Sequence, residues 1–288
     1  MKRIVSLAMV AILPVFAFAA STSMNLSDAL KKEVVKMEAV NTKGNYTGKS
    51  VKLTITNNSN ASLEIKVNLG IILKPSNPAF QPLVLSGEES LALKAHEKGE
   101  VEVETFCGNA PKACPIPDLS YSFLRVGSDT LVKILRFIKD NSLFDHLGQA
   151  AVWVVTNEHD LSNVYDNTRD LLSIKLIGII SLATGQEKPD FYAVSATNET
   201  PAQPAYTAKT EKIYIPFDIS LSTSKVLSIG IFSPKGQWIK SIFERKLFEP
   251  GKHNLMAELD PSGFEAGKYF VRLMDPEKTL QQKEIKVE

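Results

Sequence analysis

Two cysteines, Cys107 and Cys114, stand in the stretch FCGNAPKAC and are the first residues with chemistry to offer. Two thiols in an oxidising compartment form a disulfide by default. Closing so short a loop stabilises by about 2.5 kcal/mol in the chain-entropy account. A Cys107–Cys114 disulfide is therefore expected, as a loop staple rather than a framework.

Other stretches approach catalytic patterns without completing them. KGNYTGKS nears a phosphate loop through Gly48, Lys49 and Ser50, but Lys43 takes the place of the first glycine. A strand, VKLTIT, follows where phosphate binding needs a helix N-terminus, so this is a hairpin turn. STSK, Ser222 to Lys225, fits Ser-x-x-Lys, but its surroundings are β and no Lys-Thr-Gly partner occurs. His96, His146, His159 and His253 are scattered. Glu158, His159 and Asp160 are adjacent, and adjacent side chains on a helix do not converge on a metal. They read as a solvated helix end. No His-Glu-x-x-His and no Gly-x-Ser-x-Gly occurs. The expectation is a non-enzyme with no catalytic, cofactor or metal site. A periplasmic hydrolase with a site outside known motifs is the weaker alternative.

The elements that must carry these residues are legible in hydrophobic period. SVKLTITN, SLEIKVNLG, QPLVLSG, SLALKA and EVEVETFC alternate or run apolar between turn-rich stretches, the pattern of a β-sandwich. Alternation puts Cys107 on the apolar face of its strand. From Asp129 the period becomes helical. DTLVKILRFIKD has Leu131, Ile134, Leu135 and Ile138 on one face, with Asp129 as its N-cap. LFDHLGQAAVWVVTN follows, then TRDLLSIKLIGIISLATG, apolar over most of its surface and so expected to be buried, with Gly185 just past its end. SATNETPAQPAYTAKTEK has linker composition, and strands resume after it.

The fold class is thus mostly β with a helical segment. An N-terminal β-sandwich with a cluster of three or four helices would span 21–194, a linker 195–210, and a C-terminal β-domain 211–288. At its start the chain reads as a signal peptide, residues 1–20: Lys2 and Arg3, an apolar run from Ile4 to Phe16, and Ala17-Phe18-Ala19 as the cleavage pattern. An exported chain follows, at the cell surface or outside the cell, with the periplasm as alternative. No other stretch is long and apolar enough to span a bilayer. Lys and Arg number 33 against 32 Asp and Glu, so no net field argues for nucleic acid. The partner expected for the N-terminal module is a protein or a glycan.

Two stretches carry resemblances. The last part of the chain has Ser233 to Gln237 (SPKGQ) between two strands, a Pro250 to His253 turn (PGKH), Ala266 to Val271 (AGKYFV) and a Lys-rich final strand. It resembles the C-terminal sorting domain of type IX secretion cargo and the Ig-like module of flagellar hook-capping proteins. The resemblance implies an Ig-like β-sandwich read by secretion machinery. TFCGN and GQAAVW are similar to the two motifs of bacterial thioester adhesin domains. That resemblance implies an internal thioester between the Cys107 thiol and the Gln149 amide, shielded by Trp153, which captures amines. An adhesion-type binding protein is the first expectation, and its covalent form through Cys107 and Gln149 the alternative.

Overall fold

A computed structural model describes residues 22–45, 47–198 and 200–287. The expected signal peptide, 1–20, lies outside the described residues. The chain is mostly β with a helical segment, as its hydrophobic periods require.

The first strands and helix are β1 (Thr22–Asn25), α1 (Leu26–Lys31), β2 (Val35–Asn41), β3 (Lys49–Asn57), β4 (Leu63–Val67) and β5 (Ile71–Pro75). Next come β6 (Leu83–Leu85), β7 (Glu89–Leu93), β8 (Lys98–Cys107) and β9 (Ser120–Val126). The hydrogen-bonded order β2-β3-β8-β6-β5-β9 closes into a barrel, the seam being Ala39 opposite Tyr121 and Val40 opposite Ser120. The expected sandwich is thus drawn closed on itself. The remaining strands form a three-stranded sheet, β1-β4-β7. Its Leu63, Ile65, Val67 and Leu93 share one core with the barrel residues Val51, Leu53, Ile55, Leu73, Leu83 and Val103. Alternation along each strand delivers these side chains inward. Of KGNYTGKS, Lys49 and Ser50 open β3 and Gly48 lies just before it, in the β2–β3 connection and not at a helix N-terminus.

Three helices follow: α2 (Asp129–Asp140), α3 (His146–Asn157) and α4 (Asp170–Thr184). Ser128, not Asp129, caps α2, its side chain accepting from the Leu131 N–H. Gly185 closes α4 in the left-handed conformation, φ 76, where a residue without Cβ costs least. The helices bury Leu131, Ile134, Leu135, Leu147, Ala151, Leu176 and Ile180 in a second core, together with Phe106 of β8. The expectation that α4 is buried over most of its surface is corrected: Leu171 and Leu182 are 84% and 86% exposed. One side of α4 is enough to cover α2 and α3, and its other side has no layer above it among the described residues.

Residues 195–210, expected as a linker, are a β-hairpin instead. β10 (Tyr192–Thr197) pairs antiparallel with the start of β11 (Tyr206–Leu221). The Pro- and Thr-rich composition belongs to the hairpin tip, which lies against the barrel: Cys114 N donates to Gln203 O, and Ala202 N to Cys114 O. β12 (Lys225–Phe232), β13 (Trp238–Phe248), β14 (Gly251–Leu259), β15 (Gly267–Met274) and β16 (Thr279–Val287) complete the chain. Sheets β10-β11-β14 and β13-β12-β15-β16 enclose the third core. Ile213, Ile215 and Phe217 face Leu227, Ile229, Val271, Leu273 and Ile285 there.

Candidate functional site

At Cys107 the last residue of β8 runs past its neighbour. Strand β3 pairs with β8 only as far as Lys49 opposite Glu104. On the other side Leu83 lies opposite Cys107, and the bonds there pass through Gly108 N to Pro82 O. The Cys107 N–H and C=O therefore point away from β6, where no strand remains. A buried N–H and C=O must find partners.

Helix α3 supplies them. Asp145 caps it, its side chain accepting from the Leu147 N–H at 3.0 Å. Gly148 lets the first turn approach β8 closely: a Cβ there would meet Leu143 O at 2.0 Å and Phe106 Cζ at 2.9 Å. That approach seats Gln149 beside the strand end. Gln149 Oε1 accepts from the Cys107 N–H at 2.8 Å, and Nε2 donates to the Cys107 carbonyl at 2.9 Å. Both residues are 0% exposed. The carboxamide acts as one residue of a missing strand.

One turn further along α3, Trp153 is 1% exposed and packs in the barrel core with Cys107, Cys114 and Tyr121. Its Nε1 has no hydrogen-bond partner among the described residues. The Tyr121 hydroxyl donates to Gln81 O at 3.4 Å. Burial pushes the Tyr121 phenol well above its ordinary range, and the nearby Cys107 and Cys114 thiols add to the effect. Gln81 is fully buried, and neither polar atom of its side chain has a partner among the described residues.

The expected Cys107–Cys114 disulfide is corrected: no bond joins the two buried cysteines. The loop between them carries Cys114 toward the β10–β11 hairpin tip. Its main chain is held there by Gln203 and Ala202, and its Sγ donates to Asn198 O at 3.3 Å.

A cleft of ≈ 360 Å³ opens on the far side of Trp153, between α3 and the hairpin. Its aromatic wall is continuous. Trp153 meets Tyr206 edge-on at 6.0 Å and His159 at 5.8 Å, and His159 meets Tyr206 at 4.4 Å. Asn163 Nδ2 lies 3.3 Å from His159 Nε2, and Ser195 Oγ donates to Asn163 Oδ1 at 3.4 Å. At the rim Arg169 bridges Asp145 at 2.7 Å and Asp166 at 2.6 Å, with His146 Nε2 3.6 Å from Asp166. Burial opposes the charge on Asp166, but hydrogen bonds from Thr168 and Arg169 outweigh it and hold the carboxyl below its usual range.

The structure therefore brings Cys107, Gln149 and Trp153 together, and keeps Cys114 in the same core without a bond to Cys107. Two of the scattered histidines, His146 and His159, share the cleft. Glu158 and Asp160 are exposed, as a helix end should be, but His159 turns inward against Tyr206. Tyr206 and Gln81 gave no sequence signal, because neither lies in a motif and only the hairpin and the barrel closure place them.

Chemically, Cys107 presents a thiol on the residue whose own main chain clamps the Gln149 carboxamide. Attack of Sγ on Cδ would develop negative charge on Oε1, toward which the Cys107 N–H already points. Such a preplaced donor is the usual electrostatic aid to acyl transfer. The chain matches no protein-family model and no curated protein sequence.

Proposed function

We propose that the chain is an exported, adhesion-type binding protein that attaches to its target covalently through a Cys107–Gln149 thioester. The Cys107 Sγ–Gln149 Cδ bond forms, the Cδ–Nε2 bond breaks, and the thiol proton leaves with the amide nitrogen as ammonia. A target amine then attacks Cδ, an amide bond forms, and the Cys107 thiol is restored. The observation that supports this reading is the two-way hydrogen bond between the Gln149 carboxamide and the Cys107 main chain. Full burial of both residues favours it further, because water would hydrolyse an exposed acyl group. Beneath Trp153 the acyl carbon is kept dry until a partner arrives.

The C-terminal sheets serve, in this reading, as the surface that export machinery recognises. Their support is the order of turns and strands in residues 211–288, including the positive φ of Gly236 at its hairpin.

Intact mass of the exported protein is the test. The thioester predicts a mass about 17 Da below the sequence value, from lost ammonia. Cys107→Ala should restore the full mass, and Cys114→Ala should not. A full-mass wild type with two titratable thiols in freshly purified protein would leave Gln149 as a structural clamp alone.

A further inference from the structure

The cleft beyond Trp153 plays no part in forming the thioester. We infer that it is a recognition site for a primary alkylammonium group, of the kind a lysine side chain or a free polyamine carries. Its purpose rests on the thioester reading, for which it names the face by which the amine arrives.

The lining carries the argument. Trp153, Tyr206, Tyr165, His146 and His159 contribute five rings. Aromatic faces attract cations through their quadrupole, most strongly where water is excluded. Among the described residues, Glu211 is the one carboxylate of the lining, and neither Lys nor Arg is part of it. The site therefore has attraction for positive charge from rings and carboxylate, and the fixed cation at its rim, Arg169, is engaged by Asp145 and Asp166. The edge-on contacts among Trp153, His159 and Tyr206 hold the rings as a wall rather than filling the space. Asn163, tied to both Ser195 and His159, fixes the imidazole in that wall.

Position adds the second part. Ala150 and Trp153 line the cleft, and Ala150 directly follows Gln149 in α3. Trp153, 1% exposed, reaches the cleft only at its margin and packs into the core that holds Cys107. A bound ammonium is separated from the acyl carbon by the Trp153 ring. Displacement of that ring, with one ammonium proton passing to the Glu211 carboxylate, would bring the neutral amine to the bond.

The test uses the mature full chain carrying Cys107→Ala, which cannot form the thioester, and Trp238→Phe, so that Trp153 alone fluoresces. The probes are n-pentylamine, cadaverine and Nα-acetyl-lysine methylamide, with 1-pentanol as the neutral isostere. Saturable quenching by the ammonium probes and none by pentanol is expected. Glu211→Gln, a change at an exposed residue, should weaken binding by about fivefold or more, as should Tyr206→Leu. Tighter binding of the lysine amide than of cadaverine assigns a protein lysine, and the reverse order a free polyamine. Equal response to pentylamine and pentanol, or an unaltered Glu211→Gln, overturns the inference. The wild-type mass decides the thioester separately: binding without mass loss keeps the cleft and removes the thioester, and mass loss without binding does the opposite.

Discussion

Gln149 satisfies the Cys107 main chain with both ends of one carboxamide, Oε1 at 2.8 Å from its N and Nε2 at 2.9 Å from its O. An amide side chain is the type that offers an acceptor and a donor side by side. A carboxylate has acceptors alone and would confront the Cys107 carbonyl. An aliphatic residue would leave two buried backbone groups without partners. The position therefore calls for a carboxamide on structural grounds, whether or not the acyl bond forms.

Substitutions at Gln149 should show this in stability. Gln149→Ala orphans a buried N–H and C=O and should cost about 2–4 kcal/mol, read as a fall in the urea midpoint at unchanged slope. Gln149→Glu should depend on pH. Burial favours its neutral acid, so the folded pKa rises above the unfolded one. The variant should be nearest wild type below about pH 4 and lose stability as pH rises through its folded pKa. A pH-independent Gln149→Glu would contradict the clamp.

Sequence reading reached Gln149 and Cys107 through short motifs, and it reached α2 because its apolar period is strong and α4 because its apolar run is long. The limits were tertiary. Nothing local says that β2 meets β9 at Ala39 and Tyr121, so an open sandwich and a closed barrel read alike. The Pro, Ala and Thr of residues 198–205 read as linker because a hairpin tip has the same composition as a tether. The Cys107–Cys114 pairing failed for a related reason. Spacing shows that a loop can close, but the main-chain bonds to Gln203 and Ala202 decide where Cys114 goes.

Gly148 should be intolerant of any side chain. A methyl group would overlap Leu143 O and crowd Phe106, and relief requires α3 to back away from β8. Gly148→Ala should destabilise by about 1–3 kcal/mol, the usual cost of overpacking. It should also slow or abolish the mass loss, since retreat of α3 draws Gln149 from Cys107. A stable Gly148→Ala protein with unaltered mass would show that the close approach is dispensable.

Acid should loosen the α3 start before it affects the barrel. Burial raises Asp145 and Asp166, but hydrogen bonds, from Arg169 and the Leu147 N–H to Asp145 and from Thr168 and Arg169 to Asp166, bring both below the usual range. A carboxyl depressed on folding contributes stability above its unfolded pKa of about 3.9, and that stability is lost as pH falls through the folded value. Helical circular dichroism and Trp fluorescence should hold constant from neutral pH to about 4 and decline below it. Asp166→Asn should lower stability near neutrality by about 1–3 kcal/mol and flatten the acid decline. Asp145 is more exposed than Asp166, so its share should be smaller and more sensitive to salt.

The chain should unfold as one unit despite its two β-regions. β11 serves more than one core. Ile213, Ile215 and Phe217 pack between the C-terminal sheets, whereas Tyr214 joins the helical core. Tyr165 stacks on Tyr192 at 4.4 Å and meets Tyr214 at 5.2 Å, and Ala205, just before β11, is buried in the barrel core. Domains joined by an open tether melt separately, but units sharing a continuous strand lose their interface together. Calorimetry should give one transition, with calorimetric and van't Hoff enthalpies in agreement. Truncation after Ala208 removes most of β11 and strips Tyr214 from the helical core, so the remaining chain should be markedly destabilised rather than left as an intact module. The same strand sets where an export graft must begin. A graft of 209–288 leaves the β11 edge bare, whereas one starting at Asp190 keeps β10 and the Lys283–Asp190 ion pair at 3.7 Å. On a neutral periplasmic carrier the longer graft should be exported efficiently and the shorter one poorly. Two separate melting transitions, with a stable chain ending at Ala208, would contradict this coupling. A folded longer graft that stays in the periplasm would instead remove the sorting role and leave the coupling standing.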